Sequence, residues 1–463
     1  MSDVLDYLSA QIERVRTKLV PLFESSSQVA GLVKDMSEDV KISRYLYRIP
    51  VELFPGGAFA KYSANGGAGN GLGVGHTGRL THMTAGYFYS RLAFSITQET
   101  IDTTDSGEQS VVKAFNHEMG RAISTAQVMD DIVFHTDGTG VLTGEASAYA
   151  ADTPVSGKCQ YTFADASDTL GVNRLRPGMA VVVWQTGLAA TRDDDVRVIE
   201  AIDYANKKVT LSSNVTNTPA ATDKLAFPGL TAYGPSTLTS FSSGWPTAPG
   251  SQVAAGLSGD SFRHGMYYFN NTTGTNYVLG IERQDVPELI PATVAAGGAG
   301  ISFSHGLDLW SELQARRDGD GVDSKTGLVG IAHMAQRKAI FNLGTVISNK
   351  DITGTTFGKS LDLLPDNHKY VDRIPFAGVD CIISKRQYRD RIDFINPSKW
   401  GRAMLTKLDF LTLPGSSTKI HARYSTVDGS PVPEYLWYLG SSFDYFCVDP
   451  GSQAFISGLA VPA

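Results

Sequence analysis

Residues 106–140 read SGEQSVVKAFNHEMGRAISTAQVMDDIVFHTDGTG, and this stretch decides the architecture. Ser106-Gly107-Glu108-Gln109 supplies an S-x-x-Q capping box, which satisfies backbone N–H groups at a helix start. Val111, Phe115, Met119, Ala122, Ala126, Met129 and Val133 then recur at helical spacing until Asp137-Gly138-Thr139-Gly140 stops the run. The predicted helix covers about 107 to 134 and is about 40 Å long at 1.5 Å per residue. That length exceeds the usual three to four turns and suits a strut across an elongated subunit.

Upstream of the helix the composition changes abruptly. From Ile49 to about Gly86 the chain carries Pro50, Pro55, Gly56-Gly57, Gly66-Gly67, Gly69, Gly71, Gly73, Gly75 and Gly78, too little apolar mass for a core. Long loops without elements of their own are uncommon and tend to be functional. The flanks, Tyr45 to Leu53 and Tyr87 to Ile96, alternate and are rich in aromatic and β-branched residues, so they read as the two legs of a long hairpin with a glycine-rich tip. Before it, Val4, Leu8, Ile12, Val15 and Leu19 define an amphipathic helix that stops at Pro21, and a poorer helical stretch runs from Gln28 to Val40.

Beyond the long helix, residues 150–245 favour short strands: Met179 to Trp184, Val196 to Ile202, Lys208 to Ser212 and Lys224 to Phe227, separated by turn residues. This is expected to be a small β module, a barrel or a sandwich. Further on, Leu307 to Arg317 and Val329 to Leu343 read as helices, and Phe376 to Ile383, Tyr435 to Leu439 and Tyr445 to Val448 as strands.

The chain has 463 residues, with 42% hydrophobic and 19% charged residues, and its length implies about three structural units. Low charge suits a subunit that buries its flanks against neighbours, because interface cores are depleted of charge. A net charge of −7 argues against a dedicated nucleic-acid reader with a continuous basic face. Cys159, Cys381 and Cys447 are odd in number and widely spaced, so they read as buried reduced thiols and not as a disulfide framework or a zinc site. No run reaches the roughly 18 apolar residues of a membrane span. The start lacks a signal-peptide pattern, so synthesis in the cytoplasm is expected.

Several chemical motifs are nearly present and fail. Gly354 to Ser360 has three residues between its glycines where a phosphate loop needs four. Gly73-Val74-Gly75-His76-Thr77-Gly78 fits a dinucleotide fingerprint formally, with Glu99 as the distant acid, but it lies between a glycine loop and a strand-like run. His117-Glu118 lacks a second histidine at Arg121, and a calcium loop begun at Asp318, with Asp320 and Asp323, meets Val322 and Val329 where oxygen ligands are required. Asp193-Asp194-Asp195 reads as a mixed-charge turn between Arg192 and Arg197. No G-x-S-x-G elbow occurs. No enzyme activity, cofactor, metal or catalytic residue is therefore assigned.

The order of these parts resembles the major capsid protein of tailed bacteriophages, the Hong Kong 97 fold. Phe134-His135-Thr136-Asp137-Gly138-Thr139-Gly140 is similar to the turn after that family's spine helix. Leu175-Arg176-Pro177-Gly178-Met179 with Val209-Thr210-Leu211-Ser212 resembles its β-rich insertion. Val278 to Arg283 with Pro287-Glu288-Leu289 resembles the approach to the axial domain. Pro375 to Asp380, Asp390-Arg391 and Trp437 to Gly458 are similar to its axial and closing peripheral strands.

The resemblance implies an α+β chain divided as follows: an N-terminal arm at 1–44, an extended β-arm (E-loop) at 45–104, and the spine helix with the start of the peripheral domain at 105–145. A β-rich insertion domain occupies 146–260, the axial domain with peripheral segments 261–410, and the peripheral return strands 411–463. It implies pentamers and hexamers that close into an icosahedral shell around double-stranded DNA, without sequence-specific binding and without a membrane. A portal protein, a separate scaffolding protein and a decoration protein are the implied partners. The implied location is the virion capsid, assembled in the bacterial host cytoplasm. At the β-arm tip, Gly66, Gly67, Asn70, Gly71, Gly73 and His76 are the expected subunit contacts. Two other readings stay open: a bacterial nanocompartment (encapsulin-like) shell protein, and a carbohydrate-binding or hydrolytic β-rich protein.

Overall fold

A computed structural model describes residues 29–35, 47–54, 79–85, 88–97, 108–138, 140–163, 172–184, 195–215, 219–220, 222–228, 263–270, 277–279, 281–282, 286, 289–316, 327–341, 343, 373–412, 419–424 and 431–461. The chain begins there with a 3-10 turn, Ala30–Leu32, and a short strand β1 (Lys34–Asp35). Strands β2 (Tyr47–Phe54) and β3 (Arg79–Ala85) form an antiparallel hairpin, followed by β4 (Phe88–Thr97) and the helix α1 (Glu108–Phe134).

Six strands come next: β5 (Ala146–Ala151), β6 (Cys159–Phe163), β7 (Ala180–Trp184), β8 (Arg197–Asp203), β9 (Lys208–Leu211) and β10 (Lys224–Ala226). After the one-turn helix α2 (Met266–Phe269), β11 (Tyr277–Val278) pairs with β12 (Ile281–Glu282). The remainder comprises β13 (Ala292–Ala295), α3 (Phe303–Arg316), β14 (Val329–Ala332), β15 (Arg373–Phe376), β16 (Val379–Ile383), β17 (Ile392–Ile395), β18 (Trp400–Phe410), β19 (His421–Tyr424), β20 (Pro431–Cys447) and β21 (Ala454–Ser457).

Three sheets carry the fold. In the first, the 17-residue β20 is the central rail. One flank pairs with β4 from Glu434 to Phe443, and the other with β19 and then β18, whose outer edge receives β1 in parallel. Phe94, Phe115 and Trp437 cluster between this sheet and the first half of α1, with Met119, Ala122 and Ile123 beside them. The second sheet runs β10-β7-β8-β9-β6-β5, entirely antiparallel, and curls so that its ends approach at the Ala146 N–H to Asp223 carbonyl bond of 2.9 Å. The third is mixed, ordered β13-β21-β17-β14-β16-β15, and α3 packs on it through Leu309, Trp310 and Leu313. The second half of α1, through Ile132, Val133 and Phe134, enters a core shared with the curled sheet and α2. One helix thus joins two apolar cores.

The long helix and the four strands of the β module lie within a residue or two of their expected positions. Five other expectations are corrected. The partner of β2 is β3, so the second hairpin leg is Arg79–Ala85; Phe88–Thr97 belongs to the main sheet, where β20 offers it ten consecutive paired residues. Residues 30–35 are a 3-10 turn and a strand, not a helix, because the edge of β18 supplies backbone partners. Val329 to Leu343 opens as a strand: its short apolar run is buried between β16 and β17. Phe376 to Ile383 is part of a hairpin turned at Ala377-Gly378, both at positive φ, which is the backbone of a two-residue primed turn. Tyr435 to Leu439 and Tyr445 to Val448 belong to one uninterrupted strand as far as Cys447, because β4 and β18 clamp its middle from opposite sides. The expected helix at 1–20 lies outside the described residues.

Candidate functional site

The six tip residues Gly66, Gly67, Asn70, Gly71, Gly73 and His76 lie outside the described residues, as do Ser106, the glycine fingerprint, the 354–360 loop and Asp318, Asp320 and Asp323. The stem that would carry the tip is described. Its base is anchored by Ile49, Met83 and Ala85, all buried, while Arg48, Pro50 and His82 face outward. Both stem strands pair only with each other among the described strands.

His117 and Glu118 form an exposed pair at 3.4 Å, and Arg121 reaches the same carboxylate at 3.3 Å, so this helix face is a solvated charge cluster. The Asp195 backbone carbonyl accepts from Arg197, and all three cysteines are buried thiols. Burial pushes the Cys381 thiol up to about 12, which makes it inert. Among the described residues, no group of three or more His, Cys, Asp and Glu is placed to hold a metal.

What the structure brings together instead is a buried ionic node at the C-terminal end of α1. Asp130 and Asp131 are adjacent there, 3% and 2% exposed, where the helix dipole disfavours negative charge. Arginines from three other elements offset that cost. Asp130 lies 3.9 Å from both Arg263 and Arg402 and accepts a 2.6 Å bond from the Tyr445 hydroxyl. Asp131 pairs with Arg386 and accepts from the Val29 backbone N–H at 3.2 Å. The Arg263 guanidinium sits 3.6 Å over the Phe443 ring and donates to Ser90 at 2.8 Å and Ser441 at 3.1 Å, joining β4 to β20.

A second knot adjoins the first. Arg391 grips both oxygens of the buried Asp393 at 2.7–3.0 Å, donates to the Asn270 carbonyl at 2.8 Å and stacks 3.7 Å over Phe455. Asn270 and Gln387 complete that carboxylate at 2.9 and 2.6 Å, and Tyr267 donates to Gln387. Arg174, from the segment before β7, lies beside the Tyr267 and Tyr388 rings, 5.3 and 5.2 Å from their centres, and donates to the Arg386 carbonyl at 3.2 Å. His264 is fixed by Asp444, which accepts from its backbone N–H at 2.8 Å and its Nδ1 at 2.6 Å. Paired charges of this kind fix geometry more than they add stability, and removing one partner strands the other.

The node's chemistry is positional. The His264–Asp444 pair has the orientation of an acid–base dyad, but the ring is buried against Phe88 and Tyr268 and serves to hold the 263–270 segment. Sequence reading missed the node because its members are scattered from 130 to 444. The adjacent carboxylates at a helix C-terminus were the available signal.

No family model and no curated protein sequence matches the chain. Among solved structures, the chain is similar to the capsid asymmetric unit of cyanophage A-1(L), at 10% identity over 95% of this chain and 93% of that one, with a TM-score of 0.47. It is also similar to the capsid of the native GTA particle (9%, 94% and 91%, TM-score 0.39) and to a virus-like particle from Pyrococcus furiosus (6%, 96% and 99%, TM-score 0.37). All three are capsids or a virus-like particle. These are likenesses of overall path, and no residue role is transferred from them.

Proposed function

We propose that the chain is the major capsid protein of a tailed bacteriophage, a non-catalytic subunit that assembles through pentamers and hexamers into an icosahedral shell around double-stranded DNA. The observation that carries this reading is the β2–β3 ribbon. Its base is locked into the core, yet its strands find no third strand among the described residues. An isolated two-stranded ribbon is marginal in water and gains most by adding its strands to another chain. In this reading, Gly66, Gly67, Asn70, Gly71, Gly73 and His76 at the tip meet a neighbouring subunit. Contacts of that head-to-tail kind close into rings.

The remaining assignments follow the same reading. Residues 45–104 are the β-arm, 105–145 the spine helix, 146–260 the insertion, 261–410 mainly the axial domain, and 1–44 and 411–463 the N-terminal arm and the return strands. The ionic node supports the reading because it locks α1, β4, β18 and β20 into one body able to bear contacts on several sides. A portal, a scaffold and a decoration protein are the proposed partners.

Electron microscopy of the purified chain, alone and co-expressed with a scaffold from the same genome, tests the proposal. Closed shells or rings of five and six are the expected result. A compact monomer at high concentration under both conditions overturns it.

A further inference from the structure

Among the described residues, the buried arginines are met by acceptors with one exception. Arg263 and Arg402 face Asp130, Arg386 faces Asp131, and Arg391 grips Asp393. Arg197, in the β module, gives Nε and Nη2 to the Asn214 carbonyl and Nη1 to that of Asp195. Arg174 is as deeply buried, at 2% exposure, and has no carboxylate partner among the described residues. Its Nε donates to the Arg386 carbonyl, and its remaining neighbours are the rings of Tyr267 and Tyr388. Its Nη2 is buried with no hydrogen-bond partner. The same turn carries a second such donor: Nη1 of Arg176, two residues on, is also buried and unpartnered. The turn is closed by the Leu175 N–H on the Val172 carbonyl at 3.1 Å and the Met179 N–H on the Arg176 carbonyl at 3.2 Å, so both side chains spring from one ordered element.

A guanidinium does not shed its proton inside a protein, so the cost of burial cannot be relieved that way. Ring faces and a single carbonyl attract the charge without neutralising it, and a buried charge is costly unless it is paired. The carboxylates of the two adjoining knots are already engaged. Asp131 is held by Arg386 and the Val29 N–H, and Asp393 by Arg391, Asn270 and Gln387.

We infer that Arg174, assisted by Arg176, binds a small inorganic anion of the halide class as a structural ion, at the junction between the segment leading into β7 and the loop that carries Arg386 and Tyr388. The donor set selects a halide over phosphate or sulfate. Oxyanions favour bidentate capture by a guanidinium fork, and the Nε of Arg174 is already committed to the Arg386 carbonyl, which breaks the side-on Nε–Nη2 fork. A monatomic ion needs only the points that Nη2 of Arg174 and Nη1 of Arg176 leave open. The ion supplies the negative charge that the adjoining knots do not spare, and it ties the segment before β7 to the mixed sheet. The inference concerns the single chain and does not depend on shell assembly.

Chemical unfolding of the full chain in sodium chloride and in sodium gluconate of equal ionic strength tests it, since general screening is the same in both and gluconate is too large for a buried site. The unfolding constant should fall as chloride rises, by about tenfold for each tenfold increase well above the dissociation constant. Bromide should act as chloride does, and inorganic phosphate at the same ionic strength should not. Arg174→Met keeps a long side chain without its charge, and should be equally stable in chloride and gluconate; Arg176→Met should move the onset of the effect to higher chloride. Crystals grown in bromide should show bromide scattering beside Nη2 of Arg174. The inference is overturned by equal stability of the wild type in chloride and gluconate, by an undiminished chloride effect in Arg174→Met, or by phosphate acting where chloride does not. Where Arg174→Met fails to fold, the wild-type salt comparison and the bromide position decide the matter.

Discussion

A Cβ on Gly265 would stand 2.3 Å from the Thr136 carbonyl oxygen, 2.6 Å from that of Val133 and 2.7 Å from that of Phe134. The backbone before α2 therefore crosses the end of α1 at a distance that only glycine permits, and this crossing sets Arg263 and His264 in the node. Gly265→Ala should destabilise the chain by about 3 kcal/mol, because three backbone oxygens cannot move aside as a flexible side chain would. Chemical denaturation measures it. At Asp130, Asp130→Asn leaves Arg263 and Arg402 facing a neutral amide deep in the protein, and a loss of about 3–5 kcal/mol is expected. Replacing Asp130, Arg263 and Arg402 together with apolar residues of similar volume should cost much less than the single change. A triple variant no more stable than Asp130→Asn would show that the charges do more than hold one another.

Among elements, β20 gathers the most structure, and Trp437 is its buried centre, stacked 5.5 Å from Phe94 and edge-on to Phe115 at 5.3 Å. Trp437→Ala should cost about 3–5 kcal/mol by opening a cavity where strand, helix and β4 meet. Thermal unfolding monitored by circular dichroism should register it as a lowered midpoint. What was legible in the sequence follows the same division. The long helix could be read from Val111 to Val133 because its periodicity is local, and the strands of the β module because Gly187, Asp203 and Asn217 punctuate them. The pairing of Phe88–Thr97 with Glu434–Phe443 has no local trace, so local patterning points β4 to the nearest strand in sequence and yields a hairpin with the wrong leg. The turn at Ala377-Gly378 is masked in the sequence by apolar neighbours that continue on both sides, and its glycine is the one local signal. The node was illegible for a further reason: each of its charges looks like ordinary surface until the fold buries it.

For the whole molecule, removal of residues 66–75 should leave the anchored stem base and the three cores intact, because Ile49, Met83 and Ala85 lie outside the deletion. The expected result is a subunit with an unchanged unfolding midpoint and strongly reduced shell yield, measured by sedimentation and microscopy. Normal shells from that variant would remove the role proposed for the tip. A different consequence arises from the position of β20 late in the chain. Ser90 on β4 and Ser441 on β20 are in direct contact across 351 positions of sequence. During synthesis at about 5–20 residues per second, β4 therefore emerges roughly 20–70 s before the strand that completes it. Until then the main sheet has no central rail and Arg263 has no Ser441. The architecture thereby acts as a timer: a nascent chain cannot complete its main sheet until the last of its long strands has emerged, and a polypeptide truncated before 431 carries no rail on which β4, β18 and β19 can pair.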